Sequence, residues 1–226
     1  MPTTTNFGWT TPADTDLVKD GAAAIRTLAG NIDTSLVDLK GGTTGQVLSK
    51  NSNTDLDFTF TTLPVTGMTL INTGGTTLTG ATVTISSIPT TYKNLQLVIQ
   101  NFKPANDGTN ISMRFNGDSG SNRHKTLASF ASNDEVFNST STLIGPDTDN
   151  SVSQNQIIVD IPDYANTTTW KQSMTRSIAV NHTNNSNMNW LHYAGFYNQT
   201  SAITSLSFFC GTGNFTSGTA YLYGVS

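Results

Sequence analysis

The chain has 226 residues, a net charge of −4 and a pI near 5.1, with 35% hydrophobic but only 12% charged residues. So few Lys and Arg leave no basic stripe to neutralise phosphates, which argues against a nucleic-acid role, and no apolar run reaches the length that spans a bilayer. Polarity comes instead from Thr, Ser, Asn and Gly, which make hydrogen bonds without strong fields.

The opening segment, residues 1–15, is an extended Thr-rich arm carrying Phe7 and Trp9. Two large aromatics on so short an arm are either tucked onto the chain's own helix or inserted into a partner. The arm has little core of its own, which favours the partner and makes Phe7 and Trp9 the candidate attachment residues. It lacks a basic segment followed by an apolar one, so no signal peptide is expected and the chain is expected to be made in a cytoplasm. Thr11-Pro12-Ala13-Asp14 reads as a helix start, with a Thr cap, Pro at the first helical position and an acid in the first turn.

Residues 16–40 carry a stripe spaced alternately by three and four: Val18, Gly21, Ile25, Leu28, Ile32, Ser35 and Leu39. Asp20, Arg26, Asn31, Asp33, Asp38 and Lys40 occupy the other faces. A stripe this narrow cannot cover a globular core but matches the seam of a coiled coil, with Val18, Ile25, Leu28, Ile32 and Leu39 as the joining residues. An amphipathic helix packed on its own domain has the same period. Gly21 and Gly30 weaken an isolated helix, by roughly 1 kcal/mol each relative to Ala, so the stripe needs cover. Gly21 and Ser35 also weaken one layer of the seam, so the residues leave the number of strands open.

Gly41-Gly42 is expected to end the helix. Residues 41–66 then form a neck: Gly45–Lys50 and Leu56–Phe60 read as two strands of a hairpin closed by Asn51–Asp55. Pro64 and Gly67 mark a boundary. From 67 to 226 the chain shows no helical period. Strands are expected at Met68–Asn72, Ala81–Ile85, Leu95–Phe102, Asn110–Phe115, Leu127–Ala131, Gln156–Ile161, Ser173–Val180, Trp190–Phe196, Ser205–Cys210 and Thr219–Tyr223. Turns are expected at Thr73–Gly75, Lys103–Gly108, Asn116–Asn122, Gly145–Asn150 and His182–Asn187. The fold class is thus mainly β: a short N-terminal coiled-coil helix, a small β neck and a C-terminal jelly-roll-like β-sandwich. The lone Cys210 follows the apolar run Leu206–Phe209 and reads as a buried small hydrophobe.

The stretch Asn6-Phe7-Gly8-Trp9-Thr10-Thr11-Pro12-Ala13-Asp14 through Ala24-Ile25-Arg26 resembles the N-terminus of many tailed-bacteriophage fibre and appendage proteins. So do Gly45-Gln46-Val47-Leu48-Ser49-Lys50 with Thr54–Phe58, and the closing Tyr221-Leu222-Tyr223-Gly224-Val225. The resemblance implies a virion protein, usually trimeric, anchored by its N-terminus to other virion proteins and presenting a β-rich head. It leaves open whether the appendage sits on tail or capsid. One departure is the lack of a long shaft: at the usual helical rise residues 16–40 span only about 35 Å.

Chemistry is sparse. The histidines are His124 in the basic Asn122–Lys125 segment, expected to be exposed, His182 in an Asn-rich turn and His192 in a strand; no pair has metal-ligand spacing. Asp147 with Asp149, and Asp160 with Asp163, match no calcium loop. Neither a catalytic residue nor a cofactor is expected. Trp170, Trp190, His192 and Tyr197, beside Asn181–Asn189, are the candidates for touching a glycan, since flat rings beside amides suit sugars. At least half of these aromatics must be core. The reading is a short homotrimeric tail fibre or appendage attaching to host-surface polysaccharide, with a purely structural capsid fibre or decoration as the alternative and a glycan-cleaving tailspike as a further one.

Overall fold

The computed structural model describes residues 1–63, 67–128, 139–180 and 188–226. Of the described residues 47% are in strands and 10% are helical, so the fold is mainly β with one α-helix near the N-terminus. It divides into two compact units, Met1–Pro64 and Val65–Ser226.

In the first unit, helix α1 is Val18–Ser35, followed by a single 3-10 turn at Val37–Leu39. The helix begins later than its Thr11-Pro12 signal because Asp16 is drawn into a turn of its own. Its carboxylate accepts from the Ala13 amide at 2.7 Å and its amide donates to the Ala13 carbonyl at 3.0 Å. Leu17 then caps α1 with no side-chain bond. The helix also ends before Gly41. Asp38 is engaged by the Phe58 amide at 3.3 Å, and the 3-10 turn that carries it takes Leu39 out of the α-helical stripe.

The arm folds back on α1, the first of the two placements that its sequence allows. Thr4 and Trp9 close a turn, the Trp9 indole Nε1 donates to the Ser35 hydroxyl at 3.1 Å, and Phe7 stacks on Trp9 with ring centroids 4.9 Å apart. A half-buried Trp whose N–H is satisfied is a settled contact; Phe7 keeps an exposed face. Met1 lies beside Ala23, Ala24 and Thr27, and Ala24 is the buried residue of α1.

Strands β1, Gln46–Lys50, and β2, Phe58–Thr62, pair antiparallel with Leu48 opposite Phe60. Gly42 makes this possible, since at φ 83° a Cβ there would lie 2.6 Å from the Phe60 ring. The connecting loop is held by Asp57, whose carboxylate accepts from Ser52 and Asn51 and is thereby kept below the usual range.

The second unit holds β3 (Met68–Leu70), β4 (Thr76–Thr77), β5 (Thr82–Ile85), β6 (Asn94–Pro104), β7 (Thr109–Phe115), β8 (His124–Ala128), β9 (Thr142–Thr148), β10 (Asn155–Pro162), β11 (Lys171–Val180), β12 (Met188–Tyr197), β13 (Leu206–Cys210) and β14 (Phe215–Val225). Among the described residues these form an eight-stranded antiparallel sheet, in the order β3-β14-β6-β10-β11-β12-β8 with β4 also on β14, and a four-stranded one, β5-β13-β7-β9. Period-2 alternation points Leu95, Leu97 and Ile99 of β6, and Ile157, Val159 and Ile161 of β10, inward from the large sheet. Val83, Ile85, Ile111, Met113, Phe115 and Phe208 come from the small one, and both sets share one core. The unit starts and ends at one place, where β3 pairs with β14 and the Ser226 amide donates to the Gly67 carbonyl at 3.2 Å.

Strand β9 replaces the turn expected over Gly145–Asn150. Gly145, Pro146 and Asp147 are turn residues, but at the sheet edge a Pro costs no ladder bond and two register shifts against β7 absorb them. Gly145 also admits Ile157, since a Cβ would come 2.8 Å from its Cδ1. The expected His182–Asn187 turn lies outside the described residues, as does the end of the strand expected at Leu127–Ala131. Cys210 is buried, and burial pushes its thiol up to about 11. Native protein is therefore expected to leave a thiol-reactive disulfide reagent unreduced near neutral pH, with one equivalent released on denaturation; fast native labelling would contradict a closed core.

Candidate functional site

Strand β12 sorts the expected glycan contacts by parity. Tyr193, Gly195 and Tyr197 face inward, whereas Trp190 and His192 face out. Trp190 is 65% exposed and meets His192 edge-to-face with centroids 4.6 Å apart. Opposite them on β11 stand Ile178 and Arg176. Arg176 donates to Asp160 at 2.9 Å, and Gln96 donates to the other Asp160 oxygen at 2.7 Å. The charge pair is thus neutralised within the face. Around it, Val98, Ile158, Met174 and Ile178 replace the polar residues that a solvated antiparallel face normally carries. This outward face of rings, aliphatics and amides is the candidate contact surface.

Tyr197 is not part of it. The residue is buried, its hydroxyl donates to the Asp118 carboxylate at 2.9 Å, and its ring stacks on His124 at 4.8 Å. Its parity explains the difference: seven positions from Trp190, it must point to the opposite face. His124 is likewise buried rather than part of an exposed basic patch. On β8 it faces in, with Nε2 3.1 Å from the Asp118 carbonyl and Nδ1 3.4 Å from the Thr142 hydroxyl. Desolvation pushes its pKa below the ordinary 6.5 despite Asp118. Asp118 is held below the carboxylate range chiefly by the Gly120 amide, with Tyr197 adding to it. This knot ties β8, β9 and β12 to the turn after β7; it is scaffold, and nothing in the sequence singles out Asp118.

A pH prediction follows from His124. The unfolded imidazole titrates near 6.5 and the folded one lower. Below 6.5 the unfolded chain therefore binds the extra proton, and stability is lost as pH falls. His124→Gln is expected to flatten the fall in melting temperature between about pH 7 and 5. A slope equal to the parent's would show that another group carries it.

Trp170 is exposed but remote from Trp190. It precedes Lys171, which pairs with Tyr197, whereas Trp190 pairs with Ile178, so eight strand positions, about 26 Å, separate Trp170 from the level of Trp190. They cannot serve one small site. Beside Trp170, the buried Lys171 ammonium donates to the carbonyls of Asn166 (2.6 Å), Thr169 (2.8 Å) and Thr200 (3.0 Å). Desolvation lowers its pKa, with Asp163 opposing.

Of the carboxylates considered for chemistry, those of Asp160, Asp163 and Asp149 are engaged by neighbours, the last accepting from the Ser151 amide. Asp160 pairs with Arg176, Asp163 accepts from Asn166 at 2.8 Å, and Asp149 is buried with its amide on the Val180 carbonyl. His182 lies outside the described residues. Among the described residues no three His, Cys, Asp or Glu side chains gather to hold a metal ion, and no helix is long and apolar enough to cross a membrane. No protein-family model, curated protein or solved structure matches the chain.

Proposed function

We propose that this chain is a structural virion protein of a tailed bacteriophage. In this reading it is a short homotrimeric tail fibre or appendage, and its jelly-roll-like β-sandwich contacts glycans on the host surface. The observation that carries the reading is the state of α1. Even with the chain's own arm laid along the helix, Val18 is 97% exposed and Ile25 61% exposed on the stripe, while Leu28 and Ile32 are half-buried. Leu36 and Val37 beyond the helix are also exposed. A lone copy would leave them in water, whereas sister copies would bury each at a gain of about 1.5–3 kcal/mol.

The resemblance of residues 6–26 and 45–58 to phage appendages supports the same assembly and gives the N-terminal unit its docking role toward other virion proteins. Three heads held together would turn weak, shallow glycan contacts at Trp190 and His192 into firm attachment through effective concentration. No cofactor takes part. The mass of the full-length protein at micromolar concentration tests the assembly: three times 24.1 kDa is expected, and a folded species of 24.1 kDa would sink it. Antibody label against the chain is expected on the tail of intact particles. Label on the capsid would turn the reading to a decoration.

A further inference from the structure

Strand β6 carries one residue too many. Gln100 pairs with Gln156 on one side and Thr219 on the other, while Phe102 pairs with Asn155 and Lys103 with Ser217, so Asn101 has no opposite number on either neighbour. Its backbone sits at φ 53°, the left-handed region that Asn tolerates better than most residues. On β14 the bulge is matched by Gly218 at φ 125°, where a Cβ would come 2.7 Å from the Phe102 Cα. Bulges next to one another inside the large sheet re-aim side chains rather than merely end pairing.

They open a cleft of about 270 Å³ on the sheet's outer face, lined by Gln100, Asn101, Gln154, Asn155 and Gln156. Asn155 is buried and fixes the floor: its amide nitrogen donates to the carbonyls of Phe102 (2.8 Å) and Val152 (3.2 Å), and its oxygen accepts from the Val180 amide at 3.0 Å. Among the described residues no hydrogen bond engages the other four side-chain amides. No charged side chain lines the cleft.

The cleft continues sideways. Gln100, Gln156, Ile178 and Trp190 are directly paired in turn across β6, β10, β11 and β12, so they share the outer face in one row. Trp190 stands two strand spacings from Gln156, about 10 Å. His192 braces its ring.

We propose that this row is the binding site for a neutral oligosaccharide, a segment of a host surface polysaccharide running across the strands. Amides both donate and accept, as sugar hydroxyls do, so Gln100, Asn101, Gln154 and Gln156 can satisfy vicinal hydroxyls of one ring in the cleft. Ile178 and the Trp190 indole take the apolar face of the next ring. An acidic sugar would lose hydration there with no cation in the cleft to offset it, and the neighbouring Arg176 is already paired with Asp160. The source of the ligand rests on the attachment reading above; the site and its preference for uncharged sugars do not.

The test is binding of the full-length protein to an array of neutral oligosaccharides (α- and β-linked glucans, mannans, galactans and N-acetylglucosamine oligomers) and uronate-containing ones. Retention of a neutral member in preference to uronates is expected, weakened at least tenfold by Gln156→Ala and by Trp190→Ala and within twofold of the parent for Trp170→Ala. Gln156→Glu, nearly isosteric, keeps the fold measurable by its melting curve and is expected to weaken binding as much. No neutral oligosaccharide retained, or retention unaffected by both Gln156 variants, overturns the site. Binding that survives in Gln156→Ala but is lost in Trp170→Ala overturns this site and leaves the attachment reading standing, whereas a monomeric mass strikes the appendage reading alone.

Discussion

A full-length Ile25→Asp chain is expected to sediment at 24.1 kDa, against the three times that mass expected of the parent as the proposed trimer. The substitution removes about 1.5–3 kcal/mol of burial from every copy. In the proposed trimer it would also place like carboxylates against one another at a seam closed to water, where an unpaired charge costs several kcal/mol. Position matters more than charge. Arg26→Asp, one residue along and off the stripe, is expected to leave the mass unchanged. Leu39→Asp is expected to do less than Ile25→Asp, because Leu39 sits on the 3-10 turn rather than on α1. A trimer persisting in Ile25→Asp would remove the coiled coil from the proposal.

Lys171→Met is expected to lower the melting temperature of the β-rich unit by about 6–12 °C. Met refills the volume of the lysine stem, so the loss isolates the ammonium. Three carbonyls, those of Asn166, Thr169 and Thr200, lose their shared donor. An orphaned buried acceptor costs about 1–3 kcal/mol, and two of these lie in a surface loop where water can partly replace the donor, so a total of about 3 kcal/mol is reasonable. For a unit of this size each kcal/mol moves the midpoint by roughly 2–4 °C. A calorimetric shift under about 2 °C would mean that water replaces the ammonium in full. Lys171 then would be dispensable to the loop that carries Trp170.

Much of the β-rich unit was legible because alternation is a local signal. Leu95, Leu97 and Ile99, or Ile157, Val159 and Ile161, announce a strand whatever it pairs with. Strand β9 was not, because Gly145-Pro146-Asp147 speaks for a turn and only the β7 edge overrides it. The ends of α1 failed for a similar reason. Thr11-Pro12 and Gly41-Gly42 are sound local signals, but Asp16 and Asp38 found other backbone partners first. At the candidate site, parity alone could have separated Tyr197 from Trp190. What no local pattern carries is which face of a strand is covered, and so whether His124 meets solvent. The Asn101 bulge was equally hidden, since an extra residue becomes visible only against the register of both neighbours.

Gly67 and Ser226 lie within one hydrogen bond of each other, so the first and last described residues of the β-rich unit meet at one point of its surface. Joining those two points with a few glycines and cutting instead in the Ala105–Gly108 turn should yield a circular permutant with the same sheets. By the same geometry, an exchange of genetic material with its two junctions at Gly67 and Ser226 would swap the whole module through one point of the surface, leaving the helix and hairpin before it intact.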